Sequence, residues 1–166
     1  MKKIMFLLIA LLLIGMVAGC STSNTQTFKD KDGEGEVKVD KDKGSFKYKN
    51  DKSEGSAEVG EDVKLPKDFP KDLPIYDDSK LTFASSTKSN DVQIIVTTHE
   101  TKDGISKVND FFSKKLEEKG YSIENTFETG NAITQTALKG DERVIVAITE
   151  KDGKTTIMTN VTIENK

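Results

Sequence analysis

Chemistry that needs a thiol or an imidazole has one address each in this chain, Cys20 and His99. His99 could exchange a proton near neutral pH, since an unperturbed imidazole titrates at about 6.5. A hydrolase, however, gathers a base, an acid that orients it and a nucleophile. Glu100 is next in sequence, and adjacent residues of a strand point to opposite faces, so the two do not make such a pair. No second histidine accompanies His99, which leaves too few ligands for a zinc centre. Asp30-Lys-Asp-Gly33 and Asp40-Lys-Asp42 suggest calcium at first sight. An EF-hand loop needs three oxygen ligands before its glycine, and neither cluster supplies the third, so both read as hairpin turns. Glycine patterns that cradle phosphates or dinucleotides are absent. The 28 acidic residues permit paired-carboxylate chemistry without singling out a pair. His99 therefore reads as an exposed residue at a strand end. No catalytic, cofactor-binding or metal residue is assigned, and the chain reads as a non-catalytic binding or accessory module. A small carboxylate-dependent hydrolase is the catalytic alternative.

Cys20 stands in a different setting. Lys2 and Lys3 precede an unbroken apolar run from Ile4 to Met16, and small residues follow. A basic start, a short apolar segment and small residues before a cut describe a secretory signal peptide over residues 1–19. The run is well short of the roughly 20 apolar residues that a membrane span needs. Val17-Ala18-Gly19-Cys20 resembles the lipobox of bacterial lipoproteins. The resemblance implies that the Cys20 sulfur receives a diacylglyceryl group and that Cys20 becomes the mature N-terminus. It also implies an address, the outer face of the cell membrane, with the lipid as the membrane contact. Two acyl chains hold a protein on a bilayer stably, whereas one binds marginally and reversibly. Arg143 is the single arginine among 25 basic residues, a lysine bias that fits a Gram-positive source.

Loss of Lys2 and Lys3 with the leader would take the formal charge from −3 to −5. That small, interspersed charge excludes nucleic acid, which calls for basic patches. With no cysteine besides Cys20, stability must come from a hydrophobic core, although export usually invites disulfides. The expected partner is a protein or a cell-wall polymer.

Behind the anchor, residues 20–26 read as a lipidated, flexible tether. Residues 27–62 hold three short alternating segments, Gly35–Val39, Ser45–Lys49 and Ser56–Val59, separated by turn compositions. They predict a small β meander with Val37, Val39, Phe46, Tyr48, Ala57 and Val59 on one face. Residues 63–78 contain Pro66, Pro70 and Pro74, each preceded by an apolar residue. Such steps favour extended backbone, and they predict an extended strap pinned by Leu65, Phe69, Leu73, Ile75 and Tyr76. The strap resembles a segment that precedes the globular part of many Gram-positive surface lipoproteins.

Residues 79–166 predict the main domain. Two strands, Lys80–Ser86 and Val92–Thr98, come first. Ile105, Val108, Phe111, Phe112 and Leu116 then mark one face of an amphipathic helix, with Asp103 as its N-cap and Gly120 as its stop. Strands follow over 121–127, 132–139, 143–149 and 155–163. The fold class is α+β: an antiparallel sheet of ββαββββ order with one helix on a face. Phe83, Phe111, Phe112 and Phe127 could line an apolar ligand site between helix and sheet, the carrier alternative. Val144–Ile148 is apolar on both faces. The helix covers one, and the other needs the strap, the meander or a second molecule, the first two being more economical.

Cys20→Ser is expected to leave the protein unacylated, exported or not. Metabolic labelling with a fatty acid checks this, and label persisting in the variant would remove the anchor assignment.

Overall fold

The computed structural model describes residues 23–30 and 33–164. The signal peptide, Cys20 and the start of the expected tether lie outside the described residues. Ten strands and one helix follow in order: β1 (Ser23–Asp30), β2 (Gly33–Asp40), β3 (Ser45–Lys49), β4 (Ser53–Val59), β5 (Lys80–Ser89), β6 (Val92–Thr101), α1 (Ile105–Glu118), β7 (Ser122–Thr129), β8 (Ala132–Lys139), β9 (Glu142–Lys151) and β10 (Lys154–Glu164). All ten strands join one sheet, ordered β1-β2-β3-β4-β5-β6-β10-β9-β8-β7. Every pairing is antiparallel.

The α+β class and the single helix stand, but the strand count and grouping are corrected. Instead of a separate three-stranded meander, four strands extend the main sheet through β4 on β5, from Ser53 opposite Ser89 to Val59 opposite Phe83. Without β4, the ten-residue β5 would present a row of unpaired backbone groups. Residues 23–26, expected as tether, lie in β1 and pair with β2. Lys41–Gly44 forms the β2–β3 turn, with Asp40 Oδ1 accepting from Lys43 N at 3.1 Å.

Residues directly opposite in an antiparallel pair share a face. The register therefore lines up Ile95, Val161, Val144 and Ala137 on one face, with His99, Ile157, Ile148 and Ile133 in a second row. All eight are buried. The helix covers this face over β7, β8 and β9, inserting Val108, Phe112 and Leu116. Truncating Phe112 to alanine would cost about 3–5 kcal/mol, a large share of the 5–15 kcal/mol that separates native from unfolded domains.

The helix stops as its sequence dictates. Gly120 takes φ +83°, Gly120 N donates to Glu117 O at 2.9 Å and Tyr121 N to Leu116 O at 2.9 Å. This pair of bonds is a Schellman motif, which needs a left-handed residue. The start differs from expectation. The N-cap is Gly104 with no side-chain cap, and Ile105 N donates to Glu150 Oε2 at 3.0 Å instead. Asp103 does other work: its carboxylate accepts from Tyr76 Oη at 2.6 Å and from Lys107 Nζ at 2.9 Å.

The strap is not extended. Phe69 N donates to Pro66 O and Leu73 N to Pro70 O, at 3.0 and 3.2 Å, so the repeat Pro-Lys-Asp-apolar makes two successive turns. Proline constrains the residue before it and still offers its own carbonyl as an acceptor. Each turn delivers an apolar residue to the same side. Leu73 and Tyr76 are buried in the core beside the helix, with Phe69 packed against it. The strap and helix thus share one face. Ile145 and Ala147, on the other face of β9, are half-buried. Among the described residues no helix packs on that face.

A 63–166 fragment is expected to melt cooperatively, because α1, the strap and β5–β10 hold the whole buried core. Val146→Asp should abolish folding by placing an unpaired charge in it. Circular dichroism melts of both proteins check the two outcomes.

Candidate functional site

Among the described residues, a groove of about 790 Å³ lies between the strap at Lys64–Asp68 and the helix-side face of β2–β5. Alternation puts Glu36, Lys38, Lys47, Lys49, Glu54 and Glu58 on that face. Two ion pairs lie on it, Lys38 to Glu36 along β2 at 2.9 Å and Lys49 to Glu54 between β3 and β4 at 3.2 Å. Lys38 and Lys47 stand directly opposite each other. Like charges in that relation destabilise a sheet. Lys64, Lys67 and Lys88 add three more ammonium groups to the walls. Among the described residues, Lys47, Lys64, Lys67 and Lys88 form no ion pair. Leu65, Pro66 and Ala84 supply apolar wall between the charges. Asp68, the strap carboxylate in the groove, is committed: it accepts from Ser86 Oγ at 2.7 Å and from Gln93 Nε2. Such a groove can hold an elongated ligand by its anionic groups.

The groove was not legible as a site, but one part of it was within reach. A turn over Lys41–Gly44 sets β2 against β3, and the register then forces Lys38 opposite Lys47.

His99 is corrected from exposed to buried, at 5% exposure. Its strand faces the core at odd positions, and the strap's end closes over it. Its Nδ1 lies 3.1 Å from Ser79 Oγ, a residue that sequence reasoning passed over. Ser79 Oγ in turn donates to Tyr76 O. One hydroxyl proton cannot serve both contacts, so His99 Nδ1–H donates and Ser79 accepts. A catalytic base would need the reverse. The contact is a latch that fastens the strap. Burial lowers the imidazole's pKa below its ordinary value.

The four phenylalanines do not line one cavity. Phe112 is in the core, and Phe111 meets Tyr76 and Phe112 edge-on at 5.0 and 5.3 Å. Phe83 and Phe127 sit on the opposite face, opposite Thr98 and Thr134. Under the helix, Val108, Leu116, Val144, Val146 and Ile148 have no accessible surface. A water-sized void would expose the atoms that line it, so the helix–sheet space there is filled. One polar residue enters it. Gln135 Nε2 donates to Asn109 Oδ1 at 2.7 Å and Ser113 Oγ at 2.6 Å, while its buried Oε1 has no partner among the described residues.

Residues 78–155 match a protein-family model described as START domain-like. No curated protein and no solved structure matches the chain. The similarity to the START domain-like model spans β5 to β9 with α1 and reaches the first residues of β10. It leaves out β1–β4 and the strap up to Asp77, and therefore most of the groove. It accords with a binding module. Among the described residues no helix is long and apolar enough to cross a membrane, and no group of three or more His, Cys, Asp or Glu side chains is placed to hold a metal.

The His99 latch carries a pH signature. The buried imidazole stays neutral while the unfolded chain takes up a proton below about pH 6.5. Stability from this group is therefore complete above that pH and declines as pH falls further. Asp103, held below the ordinary carboxylate range by hydrogen bonds from Tyr76 and Lys107, loses its contribution only at more acid pH. The melting temperature of the wild type is expected to fall from pH 7 to 5, and His99→Gln should flatten that part of the curve. Thermal melts across pH 5–8 check it.

Proposed function

We propose that this chain is a non-catalytic binding module held on the outer face of the cell membrane by lipid on Cys20. Its groove takes an elongated ligand through several anionic groups. The observation that carries the reading is that Lys47 on the groove floor and Lys64, Lys67 and Lys88 on its walls have no carboxylate partner among the described residues. Ammonium groups gathered around one groove attract an anion laid among them. Lys64 and Lys67 stand on the strap and Lys88 on β5, so the charges are dispersed along the groove. Lysine suits a ligand with dispersed charges, being a mobile point charge rather than a planar fork. An anchored module with such a groove would hold its ligand close to the membrane surface.

The START domain-like similarity favours a second reading, carriage of an apolar ligand between helix and sheet. In that case Leu73 and Tyr76 must leave the core to make room. Uptake of the fluorescent fatty acid cis-parinaric acid in a one-to-one ratio would favour this reading.

The groove reading is tested by fluorescence anisotropy with labelled hexaglutamate and by calorimetry with tripolyphosphate, which separate carboxylate from phosphate ligands. Binding of at least one probe is expected, weakening with salt and falling tenfold or more in Lys47→Glu/Lys67→Glu. Both substitutions lie on exposed side chains, so the fold should persist. Absence of binding by both probes at low salt, or affinity unchanged in the variant, would overturn the reading.

A further inference from the structure

The face of the sheet opposite the helix has no layer over it among the described residues. Register places Ile94, Val96 and Thr98 of β6 beside Thr162, Asn160 and Met158 of β10, and these beside Arg143, Ile145 and Ala147 of β9. Thr136 and Thr134 of β8 continue the rows. Away from the strand ends the face carries no charge. Several of its large apolar side chains stand open: Ile94 is 40%, Met158 42% and Phe127 64% exposed. The strap and β1–β4, the two segments that could have covered it, lie on the other face and in the plane of the sheet.

We propose that this face is the interface between two copies of the chain, packed back to back about a two-fold axis. Its size suits that occupant. Five adjacent strands of eight to eleven residues span roughly 24 Å by 30 Å, on the order of 700 Å² per copy, close to the ~800 Å² that each partner buries in a standard stable interface. Its charges suit it as well. One end of the face carries Glu100 beside Lys154, 3.8 Å apart, with Lys151 opposite Lys154, and the other carries Glu164 and Arg143. Each end thus holds both signs, and a two-fold arrangement in which like ends meet can set acid against base, whereas exchanging the ends would bring Lys151 to Arg143. Two-fold interfaces require a self-complementary patch, and an uncharged field with mixed-sign ends is one. A bilayer is a poorer occupant. The threonine hydroxyls that alternate with Ile94, Val96, Ile145 and Ala147 would find no partner in hydrocarbon, whereas an identical threonine-bearing face supplies donors and acceptors. The interface is separate from the groove, which lies on the helix side.

The test uses the full chain in its own membrane. Met158→Cys and Ile145→Cys are treated with a flexible bis-maleimide linker beside the wild type, whose single cysteine is Cys20, the proposed lipid carrier, and Lys114→Cys on the exposed side of the helix. A band of twice the monomer mass is expected for the first two and for neither control. Sedimentation velocity of the purified full chain in detergent gives the second measurement. Ile94→Lys/Met158→Lys should melt cooperatively and sediment at half the wild-type protein mass, since both positions are exposed in a single copy. The proposal is overturned by a wild type that is monomeric at tens of micromolar. It is equally overturned by cross-linking to a partner of another mass, which would mean a different protein covers the face, or by a double variant that folds and stays dimeric. If the double variant does not fold, the cross-link decides alone.

Discussion

A helix of 14 residues, about 21 Å long and 10 Å wide, lies on a sheet of ten strands roughly 45 Å across. It can shelter two or three strands, and it meets β7, β8 and β9. The composition of every other strand follows from that shortfall. Next to the helix, on β6 and β10 and at Ala84 and Ser86 of β5, the face is still buried, and the strap supplies a second piece of cover. Beyond the strap, on β2–β4, no cover remains, and the same face turns to lysine and glutamate. The groove lies at that boundary, where the strap's last sheltered stretch meets the first uncovered strands.

The strap works by division of labour within a four-residue repeat. Phe69 and Leu73 face inward, while Asp68 and Asp72 reach sideways. Asp68 takes bonds from Ser86 and Gln93, and Asp72 lies 3.4 Å from Lys139. The Asp72–Lys139 contact is exposed and contributes little by itself, as surface pairs do. Its use is positional. Tyr76, hydrogen-bonded to Asp103 and stacked edge-on against Phe111, and Ser79 on His99 complete the fastening. A segment with no regular secondary structure is thereby given one place to lie.

Elements whose signal is periodic were legible in the sequence. β3 and β8 matched their expected limits, and the helix face and the glycine that ends it followed from spacing alone. What could not be read was decided by distant partners. Nothing near Ile105 announces that Glu150, 45 residues on, will cap the helix, so the nearer Asp103 looked like the cap. His99 occupies the same alternating pattern as Thr97 and Thr101, but its burial depends on a strap that arrives from twenty residues earlier. The meander's apolar face was placed correctly, with Val37 opposite Tyr48 and Val39 opposite Phe46. That its strands would continue the main sheet depended on β5 having an open edge. The groove needed all of these at once, the strap's course above all.

The filled space beneath the helix sets terms for any ligand held there. Such a ligand cannot enter a void; it must replace side chains already packed. Leu73 and Tyr76 each stand to lose about 2–3 kcal/mol of burial, and the Tyr76–Asp103 bond is broken as well. A ligand-competent state with the strap lifted would therefore lie several kcal/mol above the closed one, a minor population of well under one per cent. Affinity falls by that same fraction. The groove asks for no such displacement. Its lysines are already solvated and its walls already formed, and Lys38 already has Glu36 as counter-charge. Of the two proposed sites, the groove is the one whose bound state needs no rearrangement of packed side chains.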